Sequence, residues 1–207
     1  MNPQKKEHTR QEILQAAKKL VLEQGHTAVT VRRLAELTGY SYTSLYYYFR
    51  DLDDVLWTLR LEMIQDMISS LSYTPDESKE VVGDPIEDLL NALCVYADYF
   101  LAHANVFRFF YFRTFIVPQG DDRYQNMEGR FQGIWETAFA RLVQDNILQP
   151  EVVDTVAKTI IYALQGMLTL CFSANGALDS PSIRSELEKL IRLLLRPAAR
   201  LVQGGLQ

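Results

Sequence analysis

Cysteine is nearly absent. Only Cys94 and Cys171 occur, far apart and each inside an apolar stretch. Two such residues make neither a disulfide framework nor a metal knuckle, and they read as buried free thiols in a reducing cytoplasm. Histidine is almost as sparse: His8, His26 and His103 form no HExxH or other ligand spacing, so no metal site is expected. The phosphate-cradling GxxxxGK[ST], the dinucleotide GxGxxG and the nucleophile elbow GxSxG are all missing. Nothing in the sequence asks for an enzyme or a cofactor. No apolar segment accompanies the polar start from Met1 to Arg10, so no signal peptide is read there. One long uncharged run exists, the twenty residues from Thr159 to Leu178. Its length would span a bilayer, but Thr159, Gln165, Gly166, Thr169, Ser173 and Asn175 dilute it and no aromatic belt or basic flank accompanies it. A helix buried on most sides, in a core or at a subunit seam, is expected there, with no membrane partner. Strand-like alternation, internal repeats and low-complexity tracts are also absent.

What is present is an ordinary globular mixture, 48% apolar and 23% charged over 207 residues. That suits a small head on a larger body. The charge is unevenly distributed. Residues 1–50 carry eight basic and four acidic side chains, a balance of +4, whereas the remainder carries 13 basic and 22 acidic, a balance of −9. A basic head on an acidic body would orient the molecule on a polyanion.

The periodicity is helical almost throughout, which predicts an all-α fold. A first helix is expected from about Gln11 to Gln24, with Ile13, Ala16, Ala17, Leu20 and Val21 inward and Gly25 as its stop. A second runs from Val31 to Thr38 behind a Thr30 cap, and a third from Tyr42 to Phe49 behind Ser41. Asp51 caps a fourth, continuing to about Leu71. Asp84-Pro85 opens a fifth, to about Ala104. A short aromatic helix from Val106 to Phe115 follows, then a loop over 118–122. Further helices are expected at about 123–145, 150–173 and 181–201, the last capped by Ser180 and interrupted at Pro197.

The segment from Thr30 to Phe49 is the informative one. Two short helices meet at a tight Gly39-Tyr40 turn, and Leu34, Leu45 and Phe49 fit one small core. The third helix then projects Tyr42, Thr43, Ser44, Tyr46 and Tyr47 away from that core, with Tyr48 only partly inward. Hydroxyl side chains donate to phosphate oxygens and reach base edges in a major groove. Arg32, in the first turn of the second helix, is placed for a phosphate or a guanine edge. The candidate DNA-contacting set is Thr30, Arg32, Ser41, Tyr42, Thr43, Ser44, Tyr46, Tyr47 and Tyr48.

From about Arg10 to Leu56 the chain resembles the DNA-binding head of the TetR family of bacterial regulators. The matching residues are Ile13-Leu14, Ala16-Ala17, Leu20, Glu23, Gly25, Thr30-Val31, Leu34-Ala35, Gly39, Ser41, Leu45 through Phe49, and the acidic run before Val55-Leu56. There are two departures: Thr43 stands where the family often has glycine, and Leu52 where it often has a phosphate-gripping lysine. The resemblance implies a three-helix helix-turn-helix domain over residues 1–52 and a larger helical effector-binding and dimerisation domain over 53–207. It implies a cytoplasmic homodimer on a palindromic double-stranded operator, acting as a repressor released by a small, largely apolar effector. The alternative is a helical small-molecule-binding module without specific DNA binding.

In the body, Phe109 through Phe112 are consecutive aromatics and cannot share one helix face. Phe100, Phe107, Phe110, Tyr111, Trp135, Phe139, Tyr162 and Met167 are the candidate effector-pocket residues. Ile160, Leu164 and Leu168, with Leu187, Ile191 and Leu194, form two apolar stripes expected to build an intersubunit four-helix bundle.

Overall fold

A computed structural model describes residues 3–71, 83–115, 121–123, 135, 138–173 and 178–195. The expected helix over 123–145 is therefore described only in part, and Pro197 and the tail beyond it lie outside the described residues. Every described element is helical: α1 (Pro3–Gln24), α2 (Val31–Thr38), α3 (Tyr42–Tyr48), α4 (Leu52–Leu71), α5 (Pro85–Ala102), α6 (Ala104–Tyr111), α7 (Val153–Cys171) and α8 (Ser180–Leu194). Residues 138–144 are helical as well. The fold is all-α. Among the described residues no helix is long and apolar enough to cross a membrane; α7 ends at Cys171, inside the uncharged run.

The chain divides into two compact units, one of residues 1–70 with 102–130 and one of residues 71–101 with 131–207. The first does not stop at residue 52, because α4 and α6 are bonded to α1. Lys18 pairs with Asp66 at 2.7 Å, Gln11 donates to Glu62 at 3.2 Å, and Arg10 donates to the Thr58 hydroxyl at 3.4 Å. From α6, the Asn105 amide donates to the Leu22 carbonyl at 3.1 Å, capping the end of α1, while Phe109 packs on the His26 ring. The core of this unit is Ile13, Leu14, Ala17, Leu20 and Val21 with Leu34, Leu45, Phe49 and the inner sides of α4 and α6.

Local chemistry sets the helix ends. α1 begins at Pro3, eight residues before the expected start; proline at a first helical position was the signal. Thr30 accepts from the Arg33 amide and Ser41 from the Ser44 amide, as expected of caps. Asp51 accepts from the Asp54 amide at 2.7 Å, starting α4. Gly39 ends α2 at φ 74°, a left-handed conformation that costs glycine nothing. The cap of α8 is Asp179, not Ser180: Ser180 is already helical, and the Asp179 carboxylate accepts from the Ser182 amide.

The second unit is built around α5, α7 and α8. Leu89, Leu93, Tyr96 and Phe100 of α5, Phe139 and Leu142, and the inner stripes of α7 and α8 are buried. Gln165 donates to the Tyr96 hydroxyl at 2.6 Å, and the Ser180 hydroxyl donates to Asp98 at 2.6 Å. Arg184 bridges Asn91 and Glu87.

This arrangement corrects one expectation. Ile160, Leu164, Leu168, Leu187 and Ile191 are 0% exposed in a single subunit. Their stripes lie inside one chain, where α7 packs on α8, so they have no surface left for a partner. Only Leu194 of the expected dimer set is half-buried.

Candidate nucleic-acid interface

The head presents α3 on a rigid footing. Leu45 and Phe49, 3% exposed, point inward from one side of the helix, and the Arg10 guanidinium lies 5.1 Å from the Phe49 ring centroid. The α2–α3 turn is tied back to α1, since the Tyr40 hydroxyl donates to Glu12. That bond favours the protonated phenol, raising the Tyr40 pKa. A short helix anchored at both ends holds its outer side chains in register.

Those outer side chains are the tyrosines. Tyr47 is 61% exposed, and Tyr42 and Tyr46 are exposed on the same side. Thr43 is exposed, and Ser44 and Tyr48 are half-buried. The Tyr47 and Tyr48 rings meet edge to face at 5.2 Å, which fixes their orientation. The oxygens of Thr30 and Ser41 are engaged as helix caps, and Ser41 also shares a hydrogen bond with the Ser44 hydroxyl at 2.9 Å. Arg32 is exposed but bonded to Glu36 at 2.8 Å, and Arg33 donates to Gln24 at 2.6 Å. Such a surface offers phenol and hydroxyl donors and ring edges to a groove, with few unengaged cations.

A feature unforeseen in the sequence lies beside it. The Lys6 ammonium, on α1, is 5.4 Å from the Tyr47 ring centroid. The early start at Pro3 carries Lys6 there.

The candidate effector residues fall in both units, and each set is described within its own. In the first unit Phe107 and Phe110 are buried, Phe107 against Tyr111 at 4.9 Å, while Tyr111 is exposed. A cleft of about 600 Å³ in this unit is polar: Arg10, Gln11, Lys18, Glu62, Asp66 and Arg123 are among its walls, and none of the aromatic set is. In the second unit Phe100, Trp135 and Phe139 are buried, and the Tyr96 ring meets Phe100 at 4.9 Å and Trp135 at 5.8 Å, both edge to face. Met167 is half-buried. Tyr162 stands outward from α7, 68% exposed, and lines no interior of its unit. Cys94 and Cys171 are half-buried rather than buried, and burial raises both thiol pKa values, which disfavours the reactive thiolate. Among the described residues no group of three potential metal ligands gathers.

Residues 13–56 match the family model for bacterial regulatory proteins, tetR family. A curated relative, the HTH-type transcriptional regulator HbdR of Aromatoleum sp. (strain CIB), is 32% identical over 97 residues, 46% of this chain and 40% of that protein. The match thus spans less than half of the relative's length. Among solved structures, the regulator FadR of Bacillus subtilis in complex with stearoyl-CoA superposes with TM-score 0.67 at 15% identity, covering 87% of this chain and 96% of that one. The TetR family regulator PfmR of Thermus thermophilus gives TM-score 0.63 at 21% identity, covering 87% and 97%. At these identities the structural likeness establishes the fold.

Proposed function

We propose that this chain, whose residues 13–56 match the tetR family of bacterial regulatory proteins, is a DNA-binding transcriptional regulator whose operator affinity responds to a small, largely apolar effector. The observation that carries the reading is the exposed tyrosine face of α3, held outward by a buried Leu45–Phe49 pair on a capped helix-turn-helix. On this reading residues 1–52 read DNA, and 53–207 bind the effector and dimerise. The protein acts in the cytoplasm as a repressor. A two-fold dimer needs a palindromic operator with half-site centres about 34–36 Å apart or a multiple of that. The effector acts only if it and DNA prefer different conformations of the dimer. The stearoyl-CoA bound by the FadR of similar fold and the buried aromatic clusters favour an apolar ligand.

The dimer seam is assigned to the outward side of α7, Thr155, Thr159, Tyr162, Gly166 and Leu170, together with Leu193 of α8. These positions recur at helical spacing, are exposed, and carry no charge.

The second reading, a helical ligand-binding module without specific DNA binding, is favoured by the engagement of Arg32, Arg33 and Arg50 within the chain. Selection of duplexes from a random pool, followed by footprinting on the enriched sequence, separates the two. A palindromic consensus supports the regulator; no enrichment supports the module.

A further inference from the structure

Eight cations lie in residues 1–50, and most are already engaged. Arg32, Arg50 and Lys18 are paired with Glu36, Asp51 and Asp66. Arg33 donates to Gln24, and Arg10 is held by Thr58 and the Phe49 ring. Lys5 and Lys6 enter no hydrogen bond or ion pair among the described residues, and Lys6 contacts only the Tyr47 ring. Lys19 lies 13 residues beyond Lys6 along α1, about 20 Å away by helical rise.

The position of these two lysines is unfavourable for the helix that carries them. They stand at the start of α1, which has no acidic residue in its first turn. The helix dipole is positive there, which disfavours cations at that end. Both are exposed, so packing does not compensate. A polyanion beside them would compensate. Lys6 stands over the ring of Tyr47, itself outermost on the proposed recognition helix. An anionic lipid surface would call for apolar neighbours, but Gln4 and Glu7 are exposed on either side.

We propose that Lys5 and Lys6, at the start of α1, grip the DNA backbone beside the groove that α3 enters, with Lys6 held in place by the Tyr47 ring. The proposal rests on the reading of the head as a DNA-binding element. It adds a sequence-independent contact from a second helix: the cation–π contact limits the wandering of a long side chain, and the ammonium keeps its donors for phosphate oxygens.

The test uses the full chain and two duplexes of about 40 base pairs, one selected from a random pool by the wild-type protein and one of scrambled sequence. Affinities are measured by fluorescence anisotropy between 50 and 200 mM KCl. Each phosphate contact contributes about 0.9 to the slope of log K against log salt. Lys6→Gln on both heads of a dimer should lower the slope by about 1.8, so the loss of affinity over that salt range shrinks about twelve-fold. Selected and scrambled duplexes should weaken by the same factor. Lys5→Gln/Lys6→Gln should lower the slope further, and Lys6→Arg should keep it near the wild-type value. An unchanged slope for Lys6→Gln, with wild-type binding intact, overturns the proposal and leaves the regulator reading standing. Weakening on the selected duplex alone also overturns it, because that marks a base reader. A wild-type protein that binds neither duplex overturns the DNA reading itself, and this proposal with it.

Discussion

Tyr47 and Phe49 are two residues apart on the same segment and should fail in different ways when truncated. Tyr47 is 61% exposed, and its intrachain contacts are the Tyr48 edge at 5.2 Å and the Lys6 ammonium. Tyr47→Ala should therefore cost the fold little, at most about 0.5–1.5 kcal/mol for the lost ring pair. For DNA the loss is larger. One contact is worth about 1–3 kcal/mol, and a dimer loses two, so about 2–6 kcal/mol in all, or roughly 30-fold to 10⁴-fold in operator affinity. Phe49 is 3% exposed and carries the Arg10 guanidinium on its ring. Phe49→Ala leaves a cavity where α1 and α3 meet and should cost about 3–5 kcal/mol of stability. Circular dichroism melting and anisotropy titration on both variants read the contrast. Tyr47→Ala should keep its Tm and lose DNA; Phe49→Ala should lose Tm first. Wild-type operator affinity in Tyr47→Ala would refute the recognition face, and a Tm loss as large as that of Phe49→Ala would move Tyr47 into the core.

Four further outcomes follow from the geometry. Asp51→Ala removes the carboxylate that accepts from the Asp54 amide, and should cost about 0.5–2 kcal/mol in urea unfolding; that amide holds the Asp51 carboxyl below its ordinary value, so the contribution is present above about pH 4 and lost as pH falls through the lowered native value. His26 is lowered by burial first and by the Arg113 charge second, so the unfolded chain binds its proton more readily and stability should fall as pH drops below about 6.5, a dependence that His26→Gln should flatten in pH-resolved melts. Leu164→Ala should cost about 2–5 kcal/mol of stability because it is fully buried in one subunit. By contrast Gly166→Leu, where an added Cβ meets nothing within 4 Å, should leave the subunit folded and shift the molar mass in light scattering from dimer to monomer.

The head was legible because its chemistry is local. A cap, a two-turn helix, a glycine at positive φ and a second cap each leave a residue type at a fixed offset, and Thr30, Gly39, Ser41 and Asp51 all occupy those roles. The outward side of α3 followed from the inward pair Leu45 and Phe49. The start of α1 was missed because polar residues 3–10 carry no apolar period; Pro3 was the available sign. The attachment of α4 and α6 to the head was not legible either. It depends on pairs far apart in sequence, Lys18 with Asp66 and Asn105 with Leu22, and no period encodes such pairs.

The stripes of α7 and α8 show what periodicity can and cannot decide. Ile160, Leu164 and Leu168 recur every four residues, and that spacing requires only that one side of a helix leave water. It does not say whether the cover comes from the same chain or another. Within one subunit α8 covers the stripe, with Leu187 and Ile191 equally enclosed. The opposite side of α7 is where a choice remains. Thr155, Thr159, Tyr162, Gly166 and Leu170 are exposed and uncharged although the helix carries Asp154 and Lys158 nearby. Glycine in mid-helix costs about 0.5–1 kcal/mol relative to alanine, and nothing within the subunit crowds position 166 enough to require it. A helix approaching from a second copy would need that space, and the large exposed rings and chains of Tyr162, Leu170 and Leu193 would be what it covers. The dimer proposed for this protein is therefore built on the weaker of the two apolar signals in its sequence, the one made of small and hydroxyl residues, because the stronger one is already satisfied inside the subunit.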